Sequence, residues 1–140
     1  MSTKKSQLRS HHYCVFSLSY HLVLVTKHRR KCFTKGILER LNEISANICD
    51  KWSVDLVEFG GEADHIHLII ETYPSIDLSK FVNNLKTVSS RLTRKEFAEH
   101  LGKFYWKPVL WTRAYCILSV GGSPLEKIQQ YIQDQDTPEK

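Results

Sequence analysis

Two histidines one residue apart, His65 and His67, stand in the run Asp64-His65-Ile66-His67-Leu68-Ile69-Ile70-Glu71. Side chains of a β-strand alternate between faces, so the two imidazoles project together while Ile66, Leu68 and Ile70 point the other way, toward a core. Neutral imidazole is a common ligand of divalent metals, and two on one face form a clamp. A plain solvated sheet face would also accept both histidines, so the spacing alone leaves the two readings open. Near the other end of the chain Tyr131 and Gln135 are four residues apart, one turn above the other on a helix. An amide oxygen from Gln135 as third ligand beside His65 and His67 would bring Tyr131 to the metal. A phenol with an ordinary pKa of about 10 is a weak nucleophile, but a neighbouring cation favours the phenolate and polarises a phosphate oxygen, which makes attack on phosphorus feasible. The competing role for Tyr131 is structural, as an amphipathic residue at the edge of a packed helix.

The elements around these residues are read from periodicity. Phe16, Leu18, Tyr20, Leu22 and Leu24 alternate with Ser17, Ser19, His21, Val23 and Val25, a long strand between Val15 and Thr26 in which His21 is expected to be a hydrogen-bonded sheet residue. Thr34 caps a helix with apolar positions at Ile37, Leu38, Leu41, Ile44, Ile48 and Trp52. Val54 to Phe59 is β-rich, and Gly60-Gly61 is expected to turn the chain into the histidine strand. A second helix, capped by Asp77, carries Leu78, Phe81, Val82, Leu85, Val88 and Leu92, with a break and restart expected at Thr93-Arg94-Lys95-Glu96, which has capping-box spacing. Ala114 to Val120 is the last strand. The order is that of an α+β, ferredoxin-like (RRM-like) four-stranded antiparallel sheet with two helices on one face. A C-terminal helix is added to that plan: Gly121-Gly122 forms a joint, and Ser123, Pro124 and Glu126 are the signals of a helix start.

A chain of 140 residues has the size of one domain, here residues 11–140 behind a flexible polar lead-in at 1–10. No apolar run is long enough to span a bilayer or serve as a signal peptide, so a soluble, cytoplasmic protein without membrane association is expected. Cys14, Cys32, Cys49 and Cys116 are spread without a C-x-x-C pair, which excludes a zinc knuckle or a disulfide framework and leaves reduced thiols. Twenty Lys and Arg against fifteen Asp and Glu give a net charge of +5, which favours a polyanionic partner. The densest cluster is Lys27-His28-Arg29-Arg30-Lys31, with Lys86, Arg91, Arg94 and Lys95 forming another. Lys27, Arg29, Arg30, Lys86 and Arg91 are the candidate phosphate contacts, with a solvated face as the alternative. Tyr105, Trp106 and Trp111 lie among Lys103, Lys107 and Arg113, a mixture suited to base stacking beside phosphate, although core packing is expected for at least one Trp.

Taken together, Tyr20 to Val23, Thr26-Lys27-His28-Arg29-Arg30, Asp64-His65-Ile66-His67-Leu68, Gly121-Gly122 and Tyr131-Ile132-Gln133-Asp134-Gln135 resemble the small single-tyrosine HUH transposases of bacterial insertion sequences, the 200/605 type, over roughly residues 12–135. The resemblance implies a DNA transposase that binds hairpins near the ends of a single-stranded element. Its tyrosine attacks a DNA phosphate, leaving a 5′-phosphotyrosine link and a free 3′-OH that is later rejoined. Carried over by position, Tyr131 is the nucleophile, and His65, His67 and Gln135 hold Mg²⁺ or Mn²⁺; from ligand type alone zinc also fits. The resemblance further implies a homodimer in which Gly121-Gly122 is a hinge and the tyrosine helix of one subunit can complete the histidine site of the other. His28 departs from the family, which more often has Tyr there. Three other functions use overlapping residues: a replication-initiation nuclease or relaxase, a domesticated relative acting on chromosomal repeat hairpins, and a non-catalytic ferredoxin-like nucleic-acid-binding module.

Overall fold

The computed structural model of the protein describes residues 18–119 and 130–135. Strands β1 (Leu18–Val25), β2 (Asp55–Glu62), β3 (His65–Thr72) and β4 (Cys116–Ser119) form one antiparallel sheet in the order β2-β3-β1-β4. Helices α1 (Lys35–Lys51) and α2 (Leu78–Glu96) pack on one face, and a single turn, α3 (Ala98–Leu101), follows α2. This is the ferredoxin-like plan expected from the order of elements. A further helical segment, 130–133, lies against the opposite face.

Alternation along the two central strands explains the layering. Leu22 and Leu24 of β1, with Ile66, Leu68 and Ile70 of β3, are fully buried against Ile37, Leu41, Phe81 and Leu85 of the helices. Both helices start where the cap residues stand: Thr34 Oγ1 accepts from Ile37 N at 3.2 Å, and Asp77 Oδ1 accepts from Lys80 N at 3.2 Å. Each cap is worth about 1 kcal/mol. No helix of the described residues is long and apolar enough to cross a membrane. Cys32 and Cys49 are buried free thiols and Cys116 is half-buried; burial pushes Cys32 up to about 11 and Cys49 up to about 12.

Three boundaries differ from expectation. Gly60-Gly61 is not the turn: both glycines lie inside β2, and the hairpin closes over Ala63-Asp64, two residues between Glu62 and His65. Neither glycine has a positive φ, so their service is to admit close neighbours rather than to bend the chain. The helix break falls at Phe97 rather than at Thr93, because Thr93 is fully buried inside α2 and the Glu96 carboxylate is held by Arg40 of α1 at 2.7 and 3.0 Å instead of reaching back along its own helix. The last strand is shorter within the described residues, Cys116–Ser119. The lead-in at 1–10, the joint Gly121-Gly122 and the helix start at Ser123 lie outside the described residues.

Candidate active site

The face of the sheet away from α1 and α2 is set by register. On β3, His65 and His67 stand opposite Val25 and Val23 of β1 on one side and Glu62 and Gly60 of β2 on the other. They share a cleft of about 840 Å³ with His21, Glu58, Arg29 and Lys31. Next to it the face is apolar: Val23 and Val25 are fully buried and packed with Cys116 and Leu118 of β4 and with Tyr131 and Ile132. A polar strip over β2 and β3 thus adjoins an apolar strip over β1 and β4.

Each histidine is held by a residue that is not itself an imidazole. His65 Nδ1 lies 2.9 Å from Asp64 Oδ1, so the ring donates from Nδ1 to the carboxylate and keeps Nε2 free as a ligand. Asp64 is in turn approached by Arg29 Nε, 3.4 Å from Oδ2, and is almost fully buried. His67 rests on the bare backbone of Gly60: a Cβ at residue 60 would lie 2.6 Å from its Cε1 and 2.8 Å from its Nε2. Burial pushes the His67 imidazole below its ordinary value, helped by the neighbouring His65 and His21 and opposed by Glu58 and Glu62. Such a ring is neutral near pH 7 and has a lone pair to offer.

The turn after β1 is bound to the same place. Thr26 N donates to the Asp64 carbonyl at 3.0 Å, and its Oγ1 donates to Arg30 O at 2.8 Å with Asp64 O 3.2 Å away. Within the 3₁₀ turn Lys27–Arg29, His28 and Arg29 adopt φ of 60° and 55°. Two successive left-handed residues without glycine are costly, about 1–2 kcal/mol each, and the bonds to Thr26 and Asp64 hold them. Arg29 therefore belongs to the cleft, through its pairing with Asp64.

Tyr131 and Gln135 are placed otherwise. Ile132 and Gln133 line the histidine cleft, whereas Tyr131 is packed into the apolar strip with its hydroxyl buried and without a hydrogen-bond partner. Burial, with the Cys116 thiol beside it, pushes the phenol up to about 12. Gln135 Nε2 donates to Tyr131 O at 3.1 Å, which leaves its amide oxygen available. Among the described residues no group of three or more His, Cys, Asp or Glu is placed to hold a metal ion. His65 and His67 are the two imidazoles of β3 that face the cleft, a pair of potential ligands rather than a complete set.

The candidate phosphate contacts divide similarly. Lys27 is half-buried beside the cleft-lining Arg29, and Arg30 is half-buried with its Nε unpartnered. Lys86 belongs to the helical side of the sheet, where Nζ donates to the carbonyls of Thr112 and Arg113 at 2.9 and 2.7 Å, and burial pushes it below its ordinary value. Arg91 is exposed on the same helix, so neither joins the histidines. Asp64, Gly60 and His21 were given no part in the site by residue type and spacing. Register could have found two of them, since His21 has the parity of Val23 and Val25, and Gly60 pairs with His67.

Comparison with known proteins gives consistent matches over most of the chain. The family described as transposase IS200-like matches residues 14–135. The ISDra2 transposase TnpA of Deinococcus radiodurans is 29% identical over 125 residues, covering 89% of each chain. The transposase for insertion sequence element IS200 of Salmonella typhimurium is 32% identical over 120 residues, covering 86% of this chain and 78% of its own. A crystal structure from Deinococcus radiodurans, assigned as a transposase, superposes with a TM-score of 0.83 at 30% identity, covering 94% of this chain and 99% of the other. A REP-associated tyrosine transposase bound to a REP hairpin shares the fold, with a TM-score of 0.56 at 9% identity, over 94% of this chain and 68% of its own.

Proposed function

The chain belongs to the IS200-like transposases, and from that membership and the chemistry of the cleft we propose that it cuts and rejoins single-stranded DNA through Tyr131, with His65, His67 and Gln135 as the ligands of Mg²⁺ or Mn²⁺. The observation that carries this reading is the pair of imidazoles on one polar strip, one bonded to Asp64 and the other seated on the bare backbone of Gly60, beside the segment that bears the tyrosine. A bound divalent ion would supply Lewis-acid polarisation of the scissile phosphate.

The chain's own residues do the rest. The Tyr131 oxygen forms a bond to phosphorus as the bond from phosphorus to the 3′ oxygen breaks, and the proton released by the phenol passes through water to that oxygen, which leaves as a 3′-OH. The DNA is then held as a 5′-phosphotyrosine, and attack by another 3′-OH reverses the step to rejoin a strand. Arg29 and Lys31 are the cations of a cleft that also holds Glu58, Glu62 and Asp64, and with Arg29 paired to Asp64 it is the exposed Lys31 that is free to meet a phosphate. The partner is single-stranded DNA carrying hairpins near the ends of the element, in keeping with the hairpin bound by the REP-associated relative.

Among the described residues the Tyr131 hydroxyl is buried in the apolar strip without a hydrogen-bond partner, so reaction at the histidines requires the phenol to be moved to them. A homodimer, in which the Gly121-Gly122 joint lets the tyrosine helix of one subunit meet the histidines of the other, satisfies that need. The test is incubation with Mn²⁺ and end-labelled hairpin DNA followed by denaturing electrophoresis. A covalent adduct is expected, and Tyr131→Phe should abolish it while hairpin binding persists. Binding without an adduct across a panel of hairpins, and without Mn²⁺ uptake, would favour a non-catalytic nucleic-acid-binding module.

A further inference from the structure

Of the three aromatic residues that stand among basic ones late in the chain, two are accounted for. Trp111 is buried, its Nε1 donates to Ser89 Oγ at 3.0 Å, and it meets the edge of Phe33 at 5.5 Å. The Tyr105 hydroxyl donates to Lys27 O at 2.7 Å, and Tyr105 packs against the core. Trp106 is 98% exposed. A single exposed apolar side chain is ordinary on a protein surface, so what marks Trp106 is its setting beside two cations and a pocket.

The segment that presents it is held on both sides. Tyr105 N donates to Leu101 O at 3.1 Å, Lys27 N donates to Leu110 O at 2.8 Å, and Thr112 N donates to Val25 O at 2.8 Å. Trp106 therefore projects from a fixed turn, and little order is lost when something is laid on it. Beside it is a shallow pocket of about 260 Å³, walled by Arg94, Leu101, Tyr105, Lys107, Pro108 and Val109, large enough for a nucleobase. Arg94 also lines a neighbouring groove of about 330 Å³ that runs past Ser90 toward Lys86. An indole face beside one guanidinium and one ammonium matches a base with its phosphates: every base has a face to stack, and the cations meet the backbone.

We propose that Trp106 is a stacking platform for one unpaired base of single-stranded DNA, with Arg94 and Lys107 on the adjoining phosphates, as a second holding point outside the histidine cleft. The inference rests on the DNA reading above. The basic turn links the two places, because Lys27 is bonded to both ends of the Trp106 segment while Arg29 and Lys31 line the cleft. Charge decides the occupant: the wall is otherwise apolar or uncharged, but its two charged side chains, Arg94 and Lys107, are both cations and no acidic residue joins them among the described residues, which favours a polyanion.

The experiment titrates the full chain, without metal, into fluorescein-labelled hairpin DNA bearing single-stranded tails, read by anisotropy and by quenching of tryptophan emission. Trp106→Ala should weaken binding about ten-fold and remove most of the quenching, Trp106→Phe should recover affinity to within about three-fold, and an abasic tail should weaken the wild type but not Trp106→Ala. Equal affinity of Trp106→Ala and wild type overturns the platform while leaving the DNA reading intact, and so does a fall in self-association in place of a fall in DNA affinity. A wild-type chain that binds no single-stranded DNA overturns both.

Discussion

The two faces of the sheet are made by the same strands and differ in what they leave unfinished. On the helical face Leu22, Leu24, Ile66, Leu68 and Ile70 are closed over by two capped helices. On the other face the residues between them divide into an apolar strip and a polar cleft, and the covering segment buries a tyrosine hydroxyl without a partner. The helical face follows its periodicity into a closed apolar core, although Ser45 Oγ and Thr93 Oγ1 are buried among its helices without a partner; the other face leaves a polar cleft open and buries a phenol beside it. Stability and activity should therefore separate by residue parity along β3.

The largest effect should come from crossing that parity. His67→Ala is expected to reduce covalent adduct to background while changing unfolding free energy by less than about 1 kcal/mol, whereas its neighbour Leu68→Ala should cost about 2–5 kcal/mol. Urea unfolding alongside the adduct assay separates the two, and a His67→Ala variant as unstable as Leu68→Ala would remove the distinction between the faces. The adjacent glycines of β2 sharpen it further. A Cβ at Gly60 would meet only the His67 ring, at 2.6 Å, so Gly60→Ala should lower Mn²⁺ affinity about 10–100-fold with folding largely kept. A Cβ at Gly61 would meet Leu38 Cδ2 at 2.8 Å and His65 O at 2.9 Å, so Gly61→Ala should cost about 1–3 kcal/mol of stability instead. Titration calorimetry with Mn²⁺ and thermal unfolding of both variants give the comparison. The smallest effect has the least usual sign: Tyr131→Phe, inactive in cleavage, should be more stable than wild type by about 1 kcal/mol, since it removes a buried hydroxyl that has no partner. A lower melting temperature for that variant would mean that the hydroxyl is satisfied in solution.

Much of this was legible in the sequence because it depends on periods and caps. The alternation from His65 to Ile70 separates the cleft from the core, and Thr34 and Asp77 start the helices where their side chains can accept from the first turn. What escaped depends on partners distant in sequence. A glycine pair in a β-rich stretch suggests a turn until the ring lying over it is known, and Thr93-Arg94-Lys95-Glu96 suggests a helix start until Arg40 is found holding Glu96. Asp64 adjoins His65 in the chain, yet its role depends on the direction of a carboxylate. The position of Tyr131 was beyond reach for a related reason: helical spacing puts it one turn from Gln135 but says nothing of which strip of the sheet that face covers.

Gly60 has a consequence for anyone wishing to build such a site elsewhere. Grafting two histidines onto alternate positions of a strand copies the ligands but not the space that one of them occupies, because that space belongs to the next strand across. In this fold the imidazole of His67 lies where the neighbour's side chain would begin. A designer would therefore write the glycine first and the histidine second, and a survey of natural sheets for latent metal pairs would search for the cross-strand couple, Gly opposite His, before searching for His-x-His.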